Sequence, residues 1–172
     1  MIKVITIFLF ILGNLLAYTQ EDFVGKWNAV DTMIEEQMGN NPNRVTKIVF
    51  SGIKEFREDN TGSLSGITVY KTVNEGKEII LGKYIVTMDF TWKVDDKELI
   101  KRKKSIEVIV DKEYRDKLLL DNSSIEADKL MYLDAVMEEY YKRQKNIKDD
   151  IIKVEGNRIE LNGRDSHFIL TK

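Results

Sequence analysis

Histidine and cysteine, two residue types that often act as catalytic bases, nucleophiles or metal ligands, are almost absent from this chain. It contains one histidine, His167, and no cysteine. His167 lies between Ser166 and Phe168 in a segment of alternating polarity, so an inward Phe168 would leave the imidazole facing solvent. A catalytic histidine needs a nucleophile to activate and a third group to orient it. Because no such motif accompanies His167, we predict that the protein is not an enzyme. The alternative is a hydrolase of an uncharacterised kind.

Other candidate catalytic and metal-binding patterns are equally incomplete. The segment Gly62-Ser63-Leu64-Ser65-Gly66 has Leu64 where a nucleophile elbow needs serine. One histidine and no cysteine exclude the usual zinc sites, and no loop has the acidic spacing of an EF-hand. The carboxylate pairs Asp95-Asp96 and Asp149-Asp150 fall in predicted turns, where solvated charge is expected. We predict no metal and no cofactor.

The densest run of charge is Lys101-Arg102-Lys103-Lys104. It forms a candidate anion-binding patch for a phosphate-bearing headgroup or a polyanion. The simpler interpretation, which we favour, is a strand end or turn that charges hold in water. No aromatic residue interleaves the run and the whole chain has a formal net charge of −2, so we predict no nucleic-acid partner.

The N-terminal segment is typical of a secretory signal peptide. Lys3 precedes an almost entirely apolar run over residues 4–16, and small or polar residues follow. We predict cleavage after Thr19, with cleavage after Ala17 as the fallback; an uncleaved N-terminal anchor is the remaining alternative. Removing 19 of the 172 residues leaves 153 and, with Lys3 gone, changes the net charge from −2 to −3. No cysteine is present for lipid attachment, so no stable membrane anchor is expected.

Residues 20–172 are predicted to form one domain of mostly β structure. The clearest strand places Tyr84, Phe90 and Trp92 on one face at even spacing, and these aromatic residues are candidates to line a cavity or its floor. Gly82, on the same face, would give a ligand some room. Whether such inward side chains fill a barrel or leave a cavity is not decided by the pattern.

Further strands and turns extend the pattern in both directions. Residues 45–50 and 53–57 are predicted strands interrupted at Ser51-Gly52, where glycine indicates a bulge or bend. The segment Asp59-Asn60-Thr61-Gly62 is typical of a hairpin turn, and residues 99–104 are expected to pair back on the aromatic strand. Three short strands close the chain at residues 151–154, 158–161 and 167–170, so the order is that of an antiparallel meander.

One segment follows helical spacing instead. Ser123 and Glu126 resemble a capping box, and Leu130, Met137 and Tyr141 follow on an apolar stripe. We predict an amphipathic helix over about residues 124–145, packed across the sheet or over one end of a barrel. Use of the stripe to bind a partner helix or a membrane is the alternative.

The predicted domain begins with Gly25-Lys26-Trp27, a Gly-x-Trp motif, and continues with Phe56 before the hairpin turn and the Phe90-Thr91-Trp92 strand. Through these residues, most of the mature chain resembles the bacterial secreted lipocalin-like (calycin) family. The resemblance implies a closed β-barrel with Gly25 and Trp27 in a structural motif at its base. It also implies an arginine over Trp27, for which Arg115, Arg158 and Arg164 are the candidates.

With this resemblance, the pattern gives a mostly β fold in which an antiparallel meander closes into a lipocalin-like barrel. The predicted function is an exported binding protein, periplasmic or extracellular, that holds a small apolar or amphipathic ligand. The alternative is a filled-core structural or interaction module that contacts an envelope protein through its outer surface.

Overall fold

The computed structural model describes residues 18–35, 44–74, 77–121, 127–164 and 166–172. The described elements are eight strands and two helices, α1 (Lys112–Asp121) and α2 (Ala127–Arg143), both between the fifth and sixth strands. The strands are β1 (Gly25–Glu35), β2 (Arg44–Phe56), β3 (Thr61–Asn74), β4 (Lys77–Asp95), β5 (Glu98–Val110), β6 (Asn146–Glu155), β7 (Arg158–Asn162) and β8 (Ser166–Thr171).

The strands form a closed antiparallel barrel in sequence order. Each strand pairs with the next, and β1 also pairs with β8, with Ala29 opposite Leu170 and Asp31 opposite Phe168. Closure gives each described strand two neighbours, although β5 pairs with β6 only over Glu98–Arg102. The predicted meander and its closure are therefore confirmed.

Alternation along the strands decides which side chains enter the barrel. In β4 the inward positions from Tyr84 to Trp92 are buried, whereas Ile85, Thr87 and Asp89 are exposed. At the end where β1 begins, the inward aromatic rings form a packed group that we call the base cluster. Its ring centroids lie 5.0–6.3 Å apart, mostly in edge-on contacts that aromatic rings favour, and its members are Phe23, Phe56, Phe90 and Trp92.

The predicted interruption of β2 at Ser51-Gly52 is wrong, because the strand is continuous from Arg44 to Phe56. Gly52 lies directly opposite Gly66 of β3. A Cβ atom on Gly52 would come within 2.3 Å of the Ser65 carbonyl oxygen and 2.9 Å of the Phe50 ring. Glycine is required here by the close approach of the two strands rather than by a bulge.

The sequence analysis predicted one of the two described helices and missed the other. The predicted amphipathic helix is confirmed as α2, with bounds inside the expected range, and its proposed capping residues Ser123 and Glu126 lie outside the described residues. Helix α1 was not predicted. Its N-terminus is capped by Asp111, whose Oδ1 accepts a hydrogen bond from the Tyr114 amide at 3.0 Å.

The predicted signal segment lies almost wholly outside the described residues, which begin at Tyr18. Within the described part of the chain, neither helix has the length and apolar character needed to cross a membrane.

Candidate functional site

A cavity of about 70 Å³ lies inside the barrel, beyond the base cluster and beneath the C-terminal end of α2. Apolar side chains supply most of the wall, Lys54 and Asp31 supply charge, and Tyr140, Tyr141 and Gln144 border it from the helix side. The apolar lining consists of Met33, Ile48, Phe50, Leu64, Val86, Met88, Ile147 and Phe168.

Charged side chains enter this interior from four different strands. We call Asp31 of β1, Lys54 of β2, Lys101 of β5 and Asp149 of β6 the buried charge cluster. Lys54, Lys101 and Asp149 have 2% or less of their surface exposed. Each member occupies a position with the parity of apolar inward neighbours, as Asp149 does between Ile147 and Ile151. Strand geometry therefore forces these charges into the barrel.

The buried charge cluster is only partly paired. The Lys101 ammonium contacts the Asp149 carboxylate. Among the described residues, Lys54 Nζ, Asp31 Oδ1 and both Asp149 carboxylate oxygens are buried without a hydrogen bond, so Asp149 has only its ion pair with Lys101. Both ammonium groups lie over the Phe168 ring, with Nζ at 4.3 Å from the ring centroid for Lys54 and 4.8 Å for Lys101. The ring faces attract cations, but they do not replace a hydrogen-bond acceptor.

Burial shifts the pKa of both unpaired groups. Removal from water, and then the nearby Lys101 ammonium, lower the pKa of Lys54 from 10.5 to about 7. Removal from water raises the pKa of Asp31 from 3.8 to about 6, against the opposing attraction of Lys54 and Lys101. These two groups can therefore change charge near neutral pH, which ordinary lysine and aspartate side chains do not.

Helix α2 covers the cavity end of the barrel. Met137 and Tyr141 are buried against the barrel, and the Tyr141 hydroxyl lies 2.6 Å from the Thr68 hydroxyl of β3. Tyr84 donates a hydrogen bond to Asp134 at 3.1 Å, and Asp134 also contacts Arg115 of α1. Burial, followed by the Asp134 carboxylate, raises the pKa of Tyr84.

A lysine from the barrel fixes the C-terminal end of this helix. Lys103 Nζ donates to the carbonyl oxygens of Tyr141 at 2.7 Å and Lys142 at 2.6 Å. The last carbonyl groups of a helix lack partners within the helix and carry partial negative charge, so a cation stabilises them. The border of the cavity is thus held by polar contacts.

The predicted aromatic site residues are all inward but are not together at the cavity. Tyr84, Phe90 and Trp92 are at most 3% exposed. Phe90 and Trp92 belong to the base cluster, and Trp92 Nε1 donates to the Thr61 carbonyl at 2.9 Å. Tyr84 contacts α2. None of the three lines the 70 Å³ cavity, and their role in ligand binding stays a prediction. Nor does Gly82 open space, because the Tyr84 ring already occupies the position of a side chain there.

The Gly-x-Trp residues lie at the base of the barrel. Gly25 begins β1 with φ +124°, which favours glycine. Trp27 is fully buried, and its Nε1 donates to the Phe23 carbonyl at 2.6 Å. The expected arginine over Trp27 is wrong: Lys172 lies there instead, with Nζ 4.5 Å from the ring centroid. The candidates Arg115 and Arg158 make other ion pairs, and Arg164 is exposed.

The predicted anion patch does not exist as one surface, and neither does the simpler solvated strand end. Alternation in β5 sends Lys101 into the barrel and Arg102 outward. Lys103 caps α2. Lys104 is the extra residue of a β-bulge, because Phe90 pairs with Lys103 while Asp89 pairs with Ser105, and its side chain is exposed. Four consecutive charges therefore have different surroundings, because a strand separates neighbours onto opposite faces.

The predicted solvated state of the paired carboxylates holds for only one pair. Asp95 and Asp96 are exposed at the turn between β4 and β5. Asp149 is fully buried in β6 instead, while Asp150 is exposed. The available signal was parity: Asp149 shares a face with apolar residues, as Asp31 shares one with Trp27, Ala29 and Met33.

The lone histidine is on the outer face, as expected. Phe168 is buried, and His167 lies 2.8 Å from Glu160 Oε1 in an exposed pair. Among the described residues, no group of three or more His, Cys, Asp or Glu side chains is arranged to hold a metal ion.

Comparison with known proteins gives no identification. No protein-family model matches the chain, and a search of curated proteins finds no significant match. The barrel and its buried charge cluster are therefore the basis for an assignment of function.

Proposed function

We propose that the protein is an exported binding protein that holds a small amphipathic ligand inside its barrel. The observation that carries this proposal is the interior cavity, in which an apolar wall surrounds the unpartnered polar atoms of Lys54 and Asp31. Ligand sites in proteins have this composition: mostly apolar surface with a few polar groups that fix orientation.

The size of the cavity requires α2 to move when a ligand of ordinary length binds. About 70 Å³ accommodates a headgroup, whereas small-molecule sites usually occupy about 300 Å³ or more. Tyr140 and Tyr141 of α2 border the cavity, so displacement of the helix end would extend it. Segments that open locally typically bury few apolar side chains. In α2 the buried ones among those described are Leu130, Met137 and Tyr141, and hydrogen bonds supply further contacts with the barrel.

Assignment to the lipocalin-like class and to an exported location belongs to the same proposal. Support comes from the fully buried Trp27 at the start of β1 and from the apolar N-terminal segment. The Tyr18 ring packs against the core, and the Thr19 amide donates to Asp22 Oδ2 at 2.8 Å. These contacts favour cleavage after Ala17 over cleavage after Thr19. The mass of the mature chain from an exporting host distinguishes the two.

The direct test is native mass spectrometry of the mature protein, followed by titration with the fluorescent apolar probe 1-anilinonaphthalene-8-sulfonate. We expect saturable binding. The variant Val86→Phe should lower affinity by about tenfold or more, because Val86 lines the cavity and a larger ring fills it.

The neighbouring variant Ile85→Phe is the matched control. Ile85 lies on the same strand but faces outward, so a phenylalanine ring there should leave probe affinity unchanged. Circular dichroism of both variants verifies the fold. Absence of saturable binding to the parent protein, or equal effects of the two variants, would overturn the proposal.

The outer surface supports a second candidate, an interaction module. Ile67, Ile85 and Ile109 form what we call the outer apolar row. Ile67 pairs with Ile85, and Ile85 pairs with Ile109 across β3, β4 and β5. Each residue of the row is 45–48% exposed. Contiguous apolar surface of this kind marks interaction sites in many proteins.

Crosslinking in the exporting host tests this candidate. One recurrent crosslinked envelope protein is expected, and Ile67→Thr with Ile85→Thr should abolish it while the probe still binds the cavity. Crosslinking that is unchanged by these substitutions would exclude the outer apolar row as the interface.

A further inference from the structure

The buried ammonium of Lys54 lacks a hydrogen-bond acceptor in the part of the chain that the structure describes. Lys54 is 1% exposed and its Nζ has no hydrogen-bond acceptor among the described residues. The fully buried Asp149 carboxylate acts on Lys54 electrostatically but forms its ion pair with Lys101. A buried cation is costly unless an acceptor compensates for the lost water. Lys54 faces the cavity, so an acceptor can reach it from there.

Asp31 adds a second polar atom to the same cavity. Within the described parts of the chain, its Oδ1 is buried without a hydrogen-bond partner, and the carboxylate interacts electrostatically with Lys54 without forming an ion pair. A protonated Asp31 is a donor, and burial already favours that form. The cavity therefore offers one cation and one carboxyl group that accepts a proton readily.

We propose that the ligand is an amphiphile with a carboxylate headgroup, which accepts hydrogen bonds from Lys54 and from protonated Asp31. This inference rests on the proposed binding function and names the ligand class. The apolar part of the ligand lies against Met33, Ile48 and Val86 and extends toward Tyr141 of α2. Lys54 and Asp31 hold the headgroup, because they are the charged side chains of the lining, and the apolar wall holds the rest of the ligand.

Binding should take up protons. An anionic headgroup beside Lys54 favours the ammonium form, and a second carboxylate beside Asp31 favours its protonated form. The interior groups that interact with these two are Lys101, Asp149 and Tyr141, and His167 acts on Asp31 electrostatically from the outer face of β8. Affinity for a carboxylate should fall as the pH rises above about 7, because Lys54 then loses its charge.

The experiment is isothermal titration calorimetry of the mature protein with octanoate, octanol, octylamine and acetate, in buffers of different ionisation enthalpy. We expect octanoate to bind about tenfold or more tightly than octanol and octylamine, since a hydrogen bond to a charged group contributes about that factor. Octanoate binding should show proton uptake and octanol binding none. Acetate should bind more weakly than octanoate because it lacks the apolar part.

Three variants assign the preference to residues. Lys54→Met should remove the preference for octanoate over octanol, whereas Lys104→Met, which deletes an exposed charge, should keep it. Asp31→Asn should keep octanoate binding but reduce proton uptake, because the amide donates without an added proton.

The outcomes separate this inference from the function on which it rests. If octanol binds as tightly as octanoate, or if Lys54→Met keeps the preference, the carboxylate assignment is overturned while the binding function stands. If acetate binds as tightly as octanoate, the ligand is a small acid rather than an amphiphile, and the assignment is again overturned. If no probe binds, including the fluorescent one, both proposals are overturned.

Discussion

Lys54, the residue on which the ligand proposal depends, carries a charge inside the barrel where an apolar side chain would fill the space. Its inward neighbours on β2 are Phe50, Gly52 and Phe56. If this position served packing alone, an apolar side chain would suffice and no ammonium group would be needed. The unpaired Lys54 is therefore better explained by binding than by stability.

The neighbouring pair Lys101–Asp149 should contribute differently, because each charge has the other as partner. Removing one partner leaves a buried charge uncompensated, so Lys101→Met should destabilise the protein by about 3–5 kcal/mol. The double variant Lys101→Met with Asp149→Leu should recover most of that loss. Urea unfolding measures both.

An exposed ion pair provides the matched control for this cycle. Lys148 and Glu98 are 3.0 Å apart with exposed side chains, so Lys148→Met should change the free energy of unfolding by less than about 1 kcal/mol. A Lys101→Met variant as mild as Lys148→Met would mean that the buried pair is not coupled as described.

At the scale of the element, α2 should be the first part of the barrel end to open. The variant Lys103→Met removes the donor to the Tyr141 and Lys142 carbonyl oxygens. We expect faster hydrogen exchange across residues 127–143 and a loss of about 1 kcal/mol in the free energy of unfolding. Lys104→Met controls for charge. Exchange that accelerates equally in β1 and β2 would indicate global unfolding rather than helix opening.

The close packing of β3 against the base cluster gives a second prediction at this scale. A Cβ atom on Gly62 would lie 2.4 Å from the Phe90 ring and 2.7 Å from the Glu55 carbonyl oxygen. Gly62→Ala should therefore destabilise the protein by about 3 kcal/mol or more.

Gly156 is the appropriate comparison for Gly62. It has φ +50° and no atom within 4 Å of an added Cβ, so Gly156→Ala should cost only about 1 kcal/mol of backbone strain. Thermal unfolding of both variants checks this difference. Equal losses would mean that crowding by Phe90 is not the cause.

For the whole molecule, the buried groups predict how stability changes with pH. The folded-state pKa of Lys54, about 7, is below its ordinary 10.5, so the unfolded chain binds more protons at this site between those values. The contribution of Lys54 to stability therefore rises as the pH increases from about 7 to about 10. Asp31 acts oppositely: its raised pKa contributes stability below 3.8 that is lost as the pH rises through about 6.

Urea unfolding over this pH range tests the Lys54 contribution. Lys54→Met should be at least as stable as the parent protein near neutral pH, by on the order of a few kcal/mol, with the difference shrinking toward about pH 10. Lys104→Met should follow the parent protein. Parallel curves for Lys54→Met and the parent would show that Lys54 is not desolvated in solution.

The sequence by itself determined most of the local structure. Alternation in β4 predicted the inward face that carries Tyr84, Phe90 and Trp92, and the turn residues predicted the hairpins, because parity and turn geometry depend on neighbours in the chain. The amphipathic stripe of α2 was visible for the same reason. Helix α1 was missed because Leu118 is the only buried side chain among those described in it, which leaves little periodic signal.

Only the tertiary structure decided which inward residues meet. The buried charge cluster takes two members from β1 and β2 and two from β5 and β6. These two pairs of strands are far apart in the sequence, and barrel closure brings the four side chains to one interior. The pairing of Lys101 with Asp149 leaves Lys54 and Asp31 facing the cavity. The extra residue Lys104 in β5 likewise shifts the inward positions from Leu99 and Lys101 to Ile106 and Val108. Such contacts depend on strand register and closure, which are long-range properties that local periodicity does not encode.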